Sequence, residues 1–370
     1  MGYRCVGATR RNTTSENARL APLGTEVALG SLDPPLTPAR DYMSEHKDLV
    51  VVGAGPCGIA VGAAATQGGL DVILFDKGSI TSSLVDYPYY MTFFSTAEKL
   101  EIAGVPFTIA EMKPTRREAL VYYRRVVQHF DLDVHQYQKV TSIEGSQADF
   151  TVNTRTRIGV EESIKTRAVV VATGGFHEPN YLNVPGEDLP KVKHYYQEPY
   201  PFYDQDVLVV GAGNSSVESA LETYRAGARV TMVHFQDKID RGVKPWVVPD
   251  IQNRLANGEI DVYWGHRLSE VRPASVVLRK EGSDETVTIP NDWVLAMTGW
   301  RPNRGFLAAL GVSIDAETGI PTHDPETMET DVEGVYVAGV LAAGYNANKI
   351  FIENGKLHGP KIVEAVSTSD

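Results

Sequence analysis

Two cysteines, Cys5 and Cys57, are all that the 370 residues contain. So few thiols exclude a disulfide framework and a cysteine-rich metal site, and they suit a reducing, cytoplasmic setting. No HxxxH, HxH or carboxylate cluster with metal-ligand spacing is present. Positive charge is in deficit: 35 Lys and Arg against 47 Asp and Glu leave a net charge of −12. That argues against nucleic acid or an anionic membrane surface as the main partner. No apolar run approaches the ~20 residues that a membrane span needs. Residues 1–44 lack the apolar core of a secretory signal and show no sustained period. They are expected to be a disordered tail. The segment after Met43, SEHKDLVVVGAGPCG, looks like an ordinary start, which makes the first 42 residues an upstream extension or a dispensable tail.

What is present is ordinary for a globular protein: 42% hydrophobic and 22% charged residues, in a chain long enough for two domains. The organising stretch is KDLVVVGAGPCGIAVGAAATQGGLDVILFD, residues 47–76. Leu49–Val52 reads as a strand buried on both faces. Gly53-x-Gly55-x-x-Gly58 follows at once. The Ala-rich Ile59–Gln67 reads as a helix ended by Gly68-Gly69, and Val72–Phe75 reads as a second strand closed by Asp76. Glycines there permit a tight turn and close backbone approach to a pyrophosphate on the helix N-terminus. Asp76 stands where an acid accepts hydrogen bonds from adenosine ribose hydroxyls.

The rest of the chain supplies a second such unit and its connections. Thr115 is expected to cap a helix over 115–130. Residues 138–173 read as a small antiparallel sheet running into a buried strand. That strand ends in Ala168–Gly175, an apolar run closing on Ala-Thr-Gly as in two-dinucleotide-binding flavoproteins. Residues 206–234 form another strand, helix and strand around Gly211-x-Gly213-x-x-Ser216. Their last strand ends at His234 rather than at an acid, which leaves room for the 2′-phosphate of NADP, with Lys238 and Arg241 close behind to pair with it. Two nucleotide units predict one tight flavin and one exchanging nicotinamide. Residues 293–303, WVLAMTGWRPN, read as the return to the first domain. A last helix is expected to begin near Asn346–Asn348 and to carry Ile350–Gly355, its N-terminus facing the flavin. His177 and His194, near the domain crossing, are read as surface or hinge residues, or as an acid for a leaving thiolate.

Several words are narrower than general flavoprotein motifs: GAGPCG, YPYYMTFFSTAEKLEI, KPTRREALVYYR, VPGEDLPKVKHY, GAGNSS, KPW, AMTGWRPN, ETMET and AGVLAAGYNANKIFIENGKLHG. Together, from about Lys47 to Gly359, they resemble the bacillithiol-disulfide reductases, thioredoxin-reductase-like flavoenzymes. The resemblance implies an α/β fold of two Rossmann-like domains, three-layered, with the NADPH domain inserted into a discontinuous FAD domain. The expected boundaries are 45–200 and 297–370 for the FAD domain and 201–296 for the NAD(P)H domain. It implies NADPH-driven reduction of oxidised bacillithiol through FAD, by a cytoplasmic homodimer or higher homo-oligomer.

Carried over residue by residue, FAD falls on Gly53, Gly55, Pro56, Cys57, Gly58, Asp76, Lys77, Thr173 and Gly174, with Gly339, Val340 and Lys349 near the ring. NADPH falls on Gly211, Gly213, Asn214, Ser215, Ser216 and His234. Cys57 is the expected catalytic thiol, its pKa lowered by the helix N-terminus so that it attacks the disulfide. The malate of bacillithiol calls for positive contacts, and Lys99, Lys113, Arg116, Lys244 and Lys349 are the candidates. Three positions depart from thioredoxin reductase. There is no CxxC. The usual final Asp of the flavin motif is Val340. The two arginines that follow the histidine are Phe235 and Gln236. A flavin monooxygenase, a ferredoxin or flavodoxin reductase of the same type, and a flavin-binding redox sensor are the rival readings.

Overall fold

The computed structural model describes residues 46–176, 178–346 and 349–368. The expected tail over 1–44 lies outside them, as do His177 and residues 347 and 348. The first sheet has seven strands. Asp133–His135, Val72–Phe75 and His46–Val52 run parallel, and His46–Val52 pairs next with Glu161–Val171. That last strand serves two sheets' worth of neighbours. Its early residues pair antiparallel with Asp149–Thr156, which pairs with Gln138–Ser146. Its end, Val169–Val171, pairs parallel with Val335–Val337. Branched apolar residues at Leu49–Val51 and Val169–Val171 are fully buried, as a strand covered on both faces requires.

Pro56–Gln67 and His358–Thr368 pack together beside this sheet. Small residues let them approach: a Cβ at Gly359 would lie 2.7 Å from the Ala60 carbonyl oxygen. The helix expected after Pro114 spans Arg116–His129. Thr115 accepts the Glu118 N–H and Glu118 accepts the Thr115 N–H, a complete capping box.

A second, all-parallel sheet runs Asp261–Trp264, Arg229–His234, Asp206–Val210, Trp293–Ala296 and Val192–Lys193. Val192–Lys193 lies before residue 201, where the second domain was expected to begin. Its backbone pairs with Val294–Leu295, so the second sheet already includes it. A three-stranded antiparallel sheet, over 266–290, flanks this one. Glu178–Pro179 and Trp300–Arg301 form a short ribbon where the chain leaves and re-enters the first sheet's part of the fold.

The helix start expected near Asn346–Asn348 falls on residues 347 and 348, outside the described residues, and Lys349 N–H donates to the Asn346 carbonyl at 3.1 Å. A helix spans Ile352–Gly355 and another His358–Thr368, both later than Asn346. Asn354 organises the start of the Ile352–Gly355 helix. Its Oδ1 accepts the Phe351 N–H at 2.7 Å and its Nδ2 donates to the Lys349 carbonyl at 2.9 Å, which ties the preceding chain into a turn. A helix of four residues carries little dipole of its own.

Candidate active site

The carboxyl ends of His46–Val52, Glu161–Val171 and Val335–Val337 meet at one edge of the first sheet, the place where open α/β sheets bind ligands. Pairing therefore brings Gly53–Gly58, Thr173–Gly174 and Gly339–Val340 together, although they are far apart in sequence. Gly53 has φ +111°, and a Cβ on it would lie 2.5 Å from the Ala172 carbonyl oxygen. A Cβ on Gly58 would lie 1.9 Å from the Gly53 carbonyl oxygen. Gly55 and Gly174 are different: space is open within 4 Å of where a Cβ would stand. The Pro56–Gln67 helix starts at Gly55 with no side-chain cap, so its first N–H groups are left for a ligand. Open space over uncapped amides fits the pyrophosphate of FAD.

Asp76 is buried, and its carboxylate accepts the Ala54 N–H at 2.8 Å, the Gly78 N–H at 2.7 Å and the Ser82 hydroxyl at 3.2 Å. Three of its roughly four acceptor positions thus pin the glycine loop to the strand end. What remains is room for one ribose hydroxyl. Lys77 is exposed. Val340 packs on Gly175, where a Cβ would stand 3.3 Å from Val340 Cγ1.

Cys57 sits at the second position of the helix, half-buried. Its sulfur faces the C-terminal segment. A Cβ on Gly339 would lie 3.0 Å from Sγ, and one on Gly355 2.9 Å from it. Burial pushes the thiol up to about 12, the reverse of the lowering expected from the helix terminus. The amides at the helix start favour a thiolate, but desolvation by Gly339, Gly355 and neighbouring Tyr87 and Tyr123 outweighs them. Both phenols are themselves raised by burial and, to a lesser degree, by the charge Cys57 would carry.

His358 holds this enclosure shut. Its Nδ1 accepts the N–H of Gly339 at 3.2 Å. Burial, with His323 and Lys361 adding to it, lowers the imidazole from 6.5 to about 4. The unfolded chain therefore takes up this proton first as pH falls. Stability is held above about pH 6.5 and lost progressively toward pH 4. The unfolding temperature of wild type is expected to fall across that window, and His358→Gln to remove part of the slope. An unchanged slope in the variant contradicts the assignment.

The second glycine loop repeats the first with differences. Gly211 has φ +116°, and a Cβ there would meet Ser216 Oγ at 2.5 Å and the Met297 carbonyl oxygen at 2.8 Å. Ser216 is fully buried and donates to Met297 O, so it packs the loop and offers nothing to a ligand. Asn214 is also engaged: Nδ2 donates to Glu218 and Oδ1 accepts the Lys244 N–H. Ser215 is exposed, and Gly213 caps the Asn214–Arg225 helix without a side-chain bond. His234 is buried, and its Nε2 makes no hydrogen bond, with Asp240 Oδ1 3.5 Å away. Burial holds the ring below the ordinary histidine value despite Asp240, so it is neutral at pH 7 and brings no charge to a 2′-phosphate. An uncapped helix start and an unsatisfied buried nitrogen fit NADPH. Lys238 and Arg241 are exposed, and among the described residues no acid pairs with either.

His194 is half-buried. Its Nε2 lies 3.5 Å from Glu187, whose carboxylate accepts the Leu182 and Asn183 N–H groups. Of the five basic candidates for malate, two lie against acids and two are held by neutral groups. Lys244 pairs with Glu218 at 2.7 Å, and Lys99 lies 3.9 Å from Glu353. Lys113 sits 4.0 Å over the Trp246 ring. Arg116 donates to the Leu84 and Val85 carbonyls. Lys349 is exposed. Arg301 and Arg304, which line a cavity, were not singled out from the sequence.

With this geometry in hand, the family described as pyridine nucleotide-disulphide oxidoreductase matches residues 50–339. Bacilliredoxin reductase Bdr of Bacillus subtilis (strain 168) is 43% identical over 319 residues, 86% of this chain and 97% of that protein. The chain belongs to the bacillithiol disulfide reductase branch of that family. Two solved structures titled bacillithiol disulfide reductase Bdr overlie it. That from Bacillus cereus is 40% identical with a TM-score of 0.86, covering 88% of this chain and 100% of its own. That from Staphylococcus aureus is 36% identical with a TM-score of 0.83, covering 88% and 99%. Like its family, this flavin disulfide oxidoreductase takes FAD and NADPH. No helix among the described residues is long and apolar enough to cross a membrane.

Proposed function

We propose that this reductase transfers two electrons from NADPH to the disulfide of a small thiol, oxidised bacillithiol, and releases two thiols, maintaining redox balance in a bacterial cytoplasm. The observation that carries the reading is Cys57: a lone thiol on the FAD loop, in contact with Gly339 on the segment assigned to the flavin ring. FAD, when bound, carries the electron pair from nicotinamide to the disulfide. Cys57 sulfur, as thiolate, attacks one sulfur of the substrate and one thiol leaves. The mixed disulfide left on Cys57 is then split by the electron pair, which restores the Cys57 thiol and frees the second thiol. One disulfide, one NADPH and one proton give two thiols and NADP.

Burial opposes the first step, because a thiol near 12 is protonated at neutral pH. The segments of Gly339 and Gly355 must therefore move off Sγ as the substrate enters. His234 is neutral, so Lys238 and Arg241 are the residues placed to receive the 2′-phosphate. Arg241→Ala is expected to raise KM for NADPH by about 10-fold while KM for NADH holds, the loss of one charge-assisted contact. Equal effects on both nucleotides contradict that role. A homodimer or higher homo-oligomer is expected, and light scattering that gives the mass of one chain contradicts it.

The function itself is tested by NADPH oxidation in purified yellow enzyme. Oxidised bacillithiol is expected to accelerate it. A rate indifferent to the disulfide, with peroxide as the product, favours a flavin monooxygenase, and no NADPH oxidation at all favours a redox sensor.

A further inference from the structure

We propose that the cavity between Arg301 and Arg304 recognises a dicarboxylate, and that in the proposed reaction it holds a malyl group of the disulfide substrate. The cavity has a volume of about 310 Å³ and is lined by Arg301, Asn303, Arg304, Glu178 and Ile314 among others. Small-molecule sites span roughly 300–1,000 Å³. This inference rests on the reading of the enzyme as a bacillithiol disulfide reductase.

Charge makes the cavity unusual. The chain carries −12, and most arginines around the second domain are paired with acids, among them Arg225, Arg229, Arg254, Arg267 and Arg272. Among the described residues, no carboxylate pairs with Arg301 or Arg304. Each is held by a neutral neighbour that leaves its charge uncompensated. Arg301 Nε donates to Asn180 Oδ1 at 2.5 Å. Arg304 lies 4.1 Å over the Tyr345 ring. Glu178 is the single acid in the lining, and its Oε1 accepts from Asn303 at 3.3 Å. Two guanidinium groups against one carboxylate leave the cavity positive. A second cavity of similar size, at the Gly282 turn, lacks this imbalance: Lys280 pairs with Glu285 there, and Arg267 with Glu281. Planar guanidinium forks match carboxylates two hydrogen bonds at a time, and two forks on one cavity suit a ligand with two carboxylates.

Position links this cavity to the thiol. Arg301 and Glu178 stand opposite each other on the crossing ribbon. Phe176, just before Glu178, packs edge-on against Tyr87 at 5.4 Å, and Tyr87 neighbours Cys57. On the other side Tyr345, beneath Arg304, follows the Gly339–Ala343 turn that touches Cys57 Sγ. Segments next to the cavity thus also hold residues that neighbour Cys57. In the proposed complex the anionic group of a disulfide held at Cys57 is set toward the two arginines.

The test compares two substrates: oxidised bacillithiol, and the disulfide of the same cysteinyl-glucosamine thiol without malate. Wild type is expected to show the lower KM for oxidised bacillithiol. Arg301→Gln and Arg304→Gln are each expected to raise that KM by about 10-fold, with kcat largely held. KM for the malate-free disulfide is expected not to move in either variant. Arg304→Lys, which keeps charge but not the fork, is expected to fall between. An unchanged KM for oxidised bacillithiol in both glutamine variants overturns the assignment. So does an equal rise for both disulfides, which signals distortion of the ribbon. If wild type reduces neither disulfide, the function proposed above falls, and this inference with it.

Discussion

Gly58→Ala is expected to cost the enzyme most of its bound FAD. The added Cβ would stand 1.9 Å from the carbonyl oxygen of Gly53. Gly53 cannot move aside cheaply. It holds φ +111°, and the side its Cβ would occupy is filled by the Ala172 carbonyl. Helix and strand must therefore part. Overpacking of this kind costs about 1–3 kcal/mol, which corresponds to roughly 5- to 150-fold weaker binding if the loop takes the strain. The flavin-to-protein absorbance ratio of the purified variant measures this, and the unfolding temperature should fall as well. Gly55→Ala separates packing from ligand contact. Nothing lies within 4 Å of its Cβ, so the flavin-free protein should keep its stability and still lose FAD. Full flavin content in both variants contradicts the cradle described here.

Cys57→Ser is expected to leave FAD bound and to remove disulfide turnover, by about 100-fold or more, as for loss of a nucleophile. Serine is nearly isosteric and fits the space between Gly339 and Gly355, so folding is little disturbed. Flavin content and reduction by NADPH, followed by absorbance, check that. Labelling provides a second readout in wild type. With the thiol near 12, thiolate at pH 7 is outnumbered by about 10⁵ to 1. Iodoacetamide should therefore modify Cys57 far more slowly than an ordinary cysteine, and peptide mapping distinguishes it from Cys5. Rapid labelling of the resting enzyme contradicts the enclosure. Full disulfide turnover by the serine variant makes Cys57 a packing residue.

Local features were legible in the sequence. The two glycine loops announced themselves because strand, turn, helix and strand follow one another within about thirty residues, each with its own period. Thr115 caps the Arg116–His129 helix as expected, and Glu118 completes a capping box that the expectation did not include. What failed to show is non-local. A sequence places Cys57 at a helix start but cannot show that Gly355 closes over it, and that closure reverses the direction of its pKa. Lys244 reads as a free cation until Glu218 is brought to 2.7 Å, and Arg304 reads as a solvated charge until the fold sets it on a cavity over Tyr345. His358 looks like any of nine histidines until its Nδ1 meets the Gly339 amide. Asn354 fixes the start of the Ile352–Gly355 helix through two hydrogen bonds to residues before it, which no local period announces.

Disulfide reduction itself is tested most directly by stoichiometry: free thiols and peroxide counted against NADPH consumed, with oxidised bacillithiol as the acceptor. Two thiols per NADPH, with no peroxide above the disulfide-free control, is the predicted result. Peroxide in place of thiols, at a rate the disulfide does not change, would contradict it.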